Sequence, residues 1–528
     1  METVPSHPIL TLDGAKRFET GLFGGDEEKE WPAMQCAGRA IAEAALNDFG
    51  ELGEFPPNAR FLVVVGKGHN GGDALIATQA ILARHPEATA DLWLLFGERT
   101  LRPLAARAYR ELVQFAPKRV RLISNVNALA ETYDFSLDGV FGFQFRPPLA
   151  PELTAIFSRL NIHPIRFRAA VDLPSGLGDN NALRSDFTYA TGSVKTPTLD
   201  TANLPVVGRL RYLDLDFFSE VGLTVPHPPS ENPTCDFVLT PESLAPLRRL
   251  RSPQSDKRTY GHLFILGGSR SYPGAILMSA LAAARSGVGL ITAFVPESLV
   301  PSFATRLPEV IWVGWPETPT GGLALEGSHL LRERLDRANA LLLGPGIGRE
   351  PETLALMADL VKTSPVPLVI DADALQPESI RAGSAPRILT PHAGEFARIS
   401  SVAGVADPGP NPSSLRPATT DALLAFSRDN HTVTVLKGSL TRISDGNAVY
   451  HSCHGGPVLA RGGSGDILAG LIGGLLAQRP TEPLQAACRG VVWQGIAADL
   501  LARTHGQVAV QTTQILDYLA AALRNEGP

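Results

Sequence analysis

ARGGSGDILAGLIGGLLA, residues 460–477, runs from a glycine-rich turn straight into an apolar helical pattern, and its reading decides the fold of the half of the chain around it. Glycines let the backbone come close to a phosphate, and the free amides and positive dipole end of the helix stabilise the anion. Asp466 stands beside that anion hole, where a carboxylate is repelled unless the chemistry needs a base. In that place it can take a proton from a hydroxyl whose oxygen attacks phosphorus. Capping the helix is the plainer role for the same residue.

Outward from this stretch, four segments each end an aliphatic run in glycines or polar residues. LKGSLTRISDG (436–446) puts Lys437 and Gly438 at a strand end, leading through Ser439 and Leu440 into a hairpin with Thr441. Such a turn can bind the phosphate and ribose of a nucleotide, although a KG turn alone is common. LLLGPGIG (341–348) is a strand running into a tight glycine turn, which suits the close approach of a dinucleotide and is otherwise an ordinary turn. In VIDADAL (369–375) the period-two rule sets Asp371 and Asp373 on one face of a strand. They could hold Mg²⁺ through water, bind ribose hydroxyls or cap the next helix. TPHAGE (390–395) adds His392 in a turn after the strand RIL, and a lone histidine is more often structural.

In this order and spacing, GPGIG, DADAL, TPHAGE, LKG and GGSGD resemble the NAD(P)HX dehydratases over about 235–528. The resemblance implies a ribokinase-like α/β fold. It also implies a reaction in which ADP or ATP, with Mg²⁺, phosphorylates the hydroxyl on a hydrated nicotinamide ring. Loss of phosphate, driven by the ring's enamine nitrogen, then restores the reduced cofactor. Asp466 matches the family's base, and Ala275, Gly346 and His392 match its substrate contacts. Lys437, Gly438, Ser439, Leu440, Thr441 and Gly465 match its nucleotide site. Gln376 departs from the family's usual asparagine after DADAL.

In the first half, VVVGKGHNGGDALIATQAIL (63–82) reads as strand, glycine-rich loop and helix, without the GxGxxG spacing of a Rossmann start. Asn70 offers an oxygen, Gly71 and Gly72 bare amides, and Asp73 a carboxylate near the helix start; an Asn-Gly turn capped by Asp73 is the plainer reading. LDGVFGFQFRPPL (137–149) and AVDLPSGL (170–177) add Asp138, Asp172 and Ser175 at two further strand ends. Oxygen ligands from three strand ends suit a small cation and a nucleotide in one crevice. With the helix AMQCAGRAIAEAAL (33–46), this set resembles the NAD(P)HX epimerases over roughly 9–222. That likeness implies a Rossmann-like fold, K⁺ on Asn70, Asp138 and Ser175, and Asp172 as acid or base on the substrate. His69, Asn70, Gly71, Gly72 and Asp73 would contact the substrate, under a loop of Gly142, Phe143, Gln144, Phe145, Arg146, Pro147 and Pro148. His69 and Ala74 depart from the family's loop, and the stretch around GSVKTP (192–197) reads as degenerate.

At 528 residues the chain exceeds one core. The expected organisation is a Rossmann-like three-layer α/β domain at 1–228, a proline-rich linker near 224–235, and a ribokinase-like α/β domain at 233–528. A surface loop is expected at 405–418. The net charge of −6 argues against nucleic acid as the main partner. No apolar run reaches the ~20 residues of a membrane helix, and the polar stretch with Pro5, Pro8 and Asp13 lacks the apolar core expected of a signal peptide. Four scattered cysteines point to a reducing cytoplasm. Expected partners are NADHX, NADPHX, and ADP or ATP, and the resemblance implies homo-oligomers. Two alternatives stay open: a ribokinase-superfamily kinase of a vitamin-like alcohol, and a dehydratase whose N-terminal half only binds or assembles.

Overall fold

The structure, a computed structural model, describes residues 3–220, 236–400 and 419–524. The linker expected at 224–235 and the loop expected at 405–418 lie outside the described residues. The chain forms two compact units.

The first unit is built on seven parallel strands: β1 (Arg60–Val65), β2 (Thr89–Leu94), β3 (Val120–Leu122), β4 (Phe135–Gly139), β5 (Arg168–Val171), β6 (Phe187–Thr191) and β7 (Arg209–Leu213). They lie in the order β3-β2-β1-β4-β5-β6-β7, the Rossmann-like sequence of neighbours. The order reverses between β1 and β4, where Val65 pairs with Gly139, and the loops leaving these two strands open a crevice. Phe61, Leu62, Val63, Val64 and Val65 are all buried, because helices cover both faces. The even and odd positions of β1 enter separate apolar clusters, giving three layers.

Helix α1 spans Leu12–Phe23, α2 spans Glu27–Phe49 and α3 spans His69–Arg84. Asp26 caps α2 by accepting from the Glu28 amide, and Glu27, Glu28 and Glu30 suit the positive end of its dipole. Gly38 lets α2 lie directly on α3, since a Cβ there would stand 2.6 Å from Ile76. Ala74, a departure from the family's loop, is buried on α3 against Gly139.

The second unit contains β8 (Asp236–Leu239), β9 (His262–Leu266), β10 (Leu290–Pro296), β11 (Ile311–Trp315), β12 (Ala340–Leu343), β13 (Leu368–Ile370), β14 (Arg387–Leu389), β15 (Val433–Leu436), β16 (Thr441–Ser444) and β17 (Val449–Ser452). Their order is β8-β17-β16-β15-β14-β13-β12-β9-β10-β11, parallel from β15 to β11, with β16 antiparallel to both its neighbours, β15 and β17. This is a ribokinase-like α/β arrangement. Residues 3–6 group with this unit, where the Pro5 carbonyl accepts from the Thr240 amide at 3.3 Å and from Ser243 Oγ at 3.2 Å.

Helices α4 (Pro273–Arg285), α5 (Ala393–Ser400) and α6 (Ser464–Gln478) follow strand ends of this sheet or pack across it. The small residues of α4 and α6 exist for each other: a Cβ on Gly470 would run into the Ser279 carbonyl. That close packing fixes the start of α6 beside α4, which places Asp466.

Candidate functional site

In the second unit, four strand and helix ends bring charged groups together. β13 stops at Ile370, and Ala372 takes a left-handed φ of 54° that opens the turn Ala372–Ala374. Asp371 and Asp373 therefore do not share a strand face, contrary to the period-two expectation, because the strand ends before either of them. Asp371 is buried and accepts from Thr390 Oγ1 at 2.6 Å and Lys437 Nζ at 3.0 Å. Asp373 turns instead to Arg349 at 2.9 Å, and Gln376 closes the same turn by donating to the Asp373 carbonyl.

Lys437 follows β15, its amide donating to the Pro391 carbonyl and its ammonium 3.9 Å from Glu395 Oε2. Burial lowers the lysine's pKa, but Asp371 and Glu395 outweigh it and raise the group above its ordinary range. Glu395, in the first turn of α5, accepts from the His392 amide at 2.8 Å. Burial pushes its carboxyl up to about 7 against the pull of Lys437. His392 accepts from the Gly394 and Glu395 amides through Nδ1, and desolvation together with Lys437 lowers its pKa, so the ring is neutral.

Asp466 is the third residue of α6, which starts from Gly463 at φ 91° with no side-chain cap bond. Gly463, not Asp466, is the N-cap, and the Asp466 carboxyl instead accepts from its own amide within the first turn. Burial pushes its carboxyl up to about 6, Asp371 adding to the shift and Lys437 opposing it. A Cβ on Gly465 would lie 3.2 Å from Lys437 Nζ, so the ammonium stands beside Gly465 at the helix start. A cation beside the amides of a helix start suits a phosphate. Ser279 Oγ donates to the Asp466 carbonyl at 2.9 Å, and Ala275 lies one turn earlier on α4. Gly346, at φ 70°, would place a Cβ 3.0 Å from that of Ala275, so these two expected contacts are neighbours. Beside them Tyr272 exposes 59% of its surface along Gly348. Gly438, Ser439 and Leu440 form the hairpin turn between β15 and Thr441 at the start of β16.

In the first unit, Asn70 Nδ2 donates to the carbonyls of Val171 at 2.9 Å and Phe141 at 3.3 Å. Asp138 Oδ1 accepts from Ser175 Oγ at 2.6 Å and its Oδ2 from the Ser175 amide at 2.7 Å. Ser175 Oγ in turn accepts from the Phe141 amide. Phe141 thus links Asn70 to Ser175, and Ser175 carries the link on to Asp138. Burial pushes the Asp138 carboxyl up to about 6 despite these hydrogen bonds. Gly142 must be glycine, since a Cβ would sit 2.5 Å from Asn70 Oδ1.

Asp172, just after β5, takes a left-handed φ of 63° and is 3% exposed. Lys195 Nζ donates to its Oδ1 at 2.5 Å and to the Thr191 carbonyl at 3.2 Å. Lys195 belongs to GSVKTP, read from sequence as degenerate; the structure shows it fully buried and paired with the expected acid/base residue. Asp73 does not cap α3, which begins at Gly68 without a side-chain cap bond; it is buried at 7% exposure. Glu19 of α1, absent from the sequence reading, is half-buried near Lys195 and Asp172, and burial pushes it up to about 7. His69 meets Glu30 at 3.1 Å, and Gly71 and Gly72 lie in the first turn of α3. Gly142, Phe143, Phe145, Arg146 and Pro147 line a cavity of about 190 Å³ with Leu173 and Pro174, while Gln144 and Pro148 are exposed.

Lys195, Glu19 and Glu395 escaped the sequence reading. Glu395 was within reach, standing three residues after His392 at a helix start. Lys195 carried only the weak signal of a lone charge in a run of small residues.

A family model described as NAD(P)H-hydrate dehydratase matches residues 263–521, and one described as the N-terminus of YjeF-related proteins matches residues 32–196. The bifunctional NAD(P)H-hydrate repair enzyme Nnr of Thermosynechococcus vestitus is 34% identical over 536 residues, covering 98% of each chain. That of Gloeobacter violaceus is 33% identical, covering 98% of this chain and 99% of its own. Among solved structures, the ADP/ATP-dependent NAD(P)H-hydrate dehydratase of Bacillus subtilis co-crystallised with ATP/Mg²⁺ is 28% identical. It covers 56% of this chain and 99% of its own, with a TM-score of 0.46. Identity above 30% along nearly the whole length of both chains, with one family model on each half, leaves one conclusion. The chain belongs to the family of bifunctional NAD(P)H-hydrate repair enzymes.

Proposed function

We propose that the second unit dehydrates the S epimer of NADHX and NADPHX with ADP or ATP, and that the first unit interconverts the R and S epimers. The observation that carries the dehydratase reading is Asp466 in the first turn of α6, with Lys437 Nζ beside Gly465 of the same turn. Asp466 takes the proton of the ring hydroxyl, whose oxygen attacks the terminal phosphorus held by Lys437, Gly438 to Thr441 and the Gly465 amide. Lys437 offsets the charge that builds on the transferring phosphoryl group. The phosphorylated oxygen then leaves as phosphate, pushed out by the ring nitrogen, and the adjacent ring carbon gives up a proton to solvent to restore the ring double bond. Ala275, Gly346 and neutral His392 frame the substrate.

Among the described residues no cluster of three His, Cys, Asp or Glu side chains stands ready for a metal. Mg²⁺ fits as an ion carried by the nucleotide phosphates, with Glu395 and Asp371 as the nearby carboxylates; bound there, it would neutralise phosphate charge. K⁺ fits the first unit for a different reason. Asp138 is a buried carboxylate whose hydrogen bonds all come from neutral donors, amid hard oxygens of Ser175, Phe141 and Val171. A monovalent cation there would supply the missing countercharge. The epimerase role rests on Asp172, buried beside the loop 142–148 and paired with Lys195.

The experiment mixes the protein with each epimer separately, with ADP, with ATP and with neither, and follows the return of NADH absorbance. Nucleotide-dependent recovery from S, and faster-than-spontaneous recovery from R, are the expected results. No nucleotide dependence would overturn the reading.

A further inference from the structure

Epimerisation of the hydrated ring inverts a carbon that carries a hydroxyl and a bond to the ring nitrogen. One of those two bonds must break and re-form on the other face, and the departing nitrogen or oxygen needs a proton. In the two epimers the hydroxyl lies on opposite faces of the ring. A base alone does not suffice; a proton donor must stand across from it. Asp172, with the Lys195 ammonium as its countercharge, supplies the base.

Asp73 is suited to the other role. It is 7% exposed on α3, and among the described residues its carboxyl makes no hydrogen bond and no ion pair. Asn70, one turn earlier on the same helix, donates to the Val171 carbonyl at 2.9 Å, one residue before Asp172, so the start of α3 brings Asp73 toward the Asp172 turn. Asp172 after β5, Glu19 on α1 and Lys195 after β6 are the charged groups acting on it, while Glu30 and His69 pair with each other. One ammonium cannot offset three carboxylates in a buried space, and Lys195 is already committed to Asp172. A carboxyl held among like charges in a buried space favours its protonated form, because ionising it adds a further negative charge there.

On the epimerase reading above, we infer that Asp73 is the proton donor facing Asp172 across the ring of the hydrated cofactor. Burial, with Asp172 and Glu19 adding to it, holds the Asp73 carboxyl well above the usual carboxylate range. In the step itself Asp172 takes the hydroxyl proton and the C–O bond becomes C=O. The C–N bond breaks with its electron pair going to nitrogen, and Asp73 protonates that nitrogen. Rotation of the freed aldehyde and the reverse transfers close the ring on the opposite face and return both protons. No oxidant or co-reactant is consumed.

Asp73→Asn in the full chain keeps the shape and removes the transferable proton. With R epimer and excess ADP or ATP, kcat for R-to-S conversion should fall ~10²-fold or more while KM moves less than about threefold. Dehydration of the S epimer should be unchanged. In the wild type the epimerisation rate should fall as pH rises and Asp73 ionises, and this alkaline limb should vanish in the variant. A variant keeping more than about a tenth of wild-type kcat, or an intact alkaline limb, overturns the assignment. Should the asparagine variant unfold, Asp73→Glu carries the test: its alkaline limb must move, and an unmoved limb overturns the assignment equally. A wild-type protein that does not speed R-to-S conversion at all refutes the epimerase reading instead, which separates the two failures.

Discussion

Lys195 Nζ lies 2.5 Å from Asp172 Oδ1, and both side chains are buried at the end of adjacent strands. Removing one member of such a pair leaves an uncompensated buried charge. Lys195→Met should therefore destabilise the first unit by roughly 3–5 kcal/mol. Denaturant unfolding followed by circular dichroism reads this, and R-epimer conversion should disappear with it. A loss under about 1 kcal/mol would show the pair to be solvated.

Asp466→Asn keeps the shape of the α6 start but removes the base. Turnover of S-NADHX should drop ~10²–10⁴-fold, with ADP or ATP affinity within a few fold of wild type. Calorimetric titration of nucleotide, beside the NADH assay, separates the two effects. A variant retaining more than about a tenth of turnover would show that another group takes the proton.

The pH dependence of dehydration follows from the same residue. Asp466 works as the carboxylate and its pKa is raised to about 6, so kcat should decline as pH falls through that value. The order of causes matters: burial comes first and Asp371 second, so Asp371→Asn should move the limb to lower pH. A limb that stays put would assign the titration to a different group.

Asp138 and Glu19, with carboxyls raised to about 6 and about 7, make the first unit's stability depend on pH. A carboxyl whose folded pKa lies above its unfolded value favours folding at low pH, and that contribution is lost as pH rises through the folded value. For Asp138 the loss runs between about pH 4 and 6 and is on the order of 3 kcal/mol. K⁺ bound against the Asp138 carboxylate would restore it. Melting in KCl should exceed melting in tetramethylammonium chloride at pH 8, with little difference at pH 4. Equal melts at pH 8 would remove K⁺ from this site.

Local chemistry made much of the molecule legible from its residues. Strands such as Phe61–Val65 are buried on both faces and so read as unbroken aliphatic runs, and the glycine-bearing turn after Val65 leads straight into α3. Asp466, Asp138, Ser175 and Asp172 stand out in the sequence because their neighbours along the chain carry the signal. Two departures that put the epimerase half in question, His69 and Ala74, are accommodated by Glu30 and by packing on Gly139. Only the tertiary structure decided the partners. Lys195 reaches Asp172 across 23 residues, Lys437 reaches Asp371 across 66, and Glu19 enters from α1. It also overturned the shared face of Asp371 and Asp373, since the length of β13 is set by its neighbours β12 and β14. Charge pairing in a buried space depends on distance through the fold, and no spacing along the chain encodes that distance.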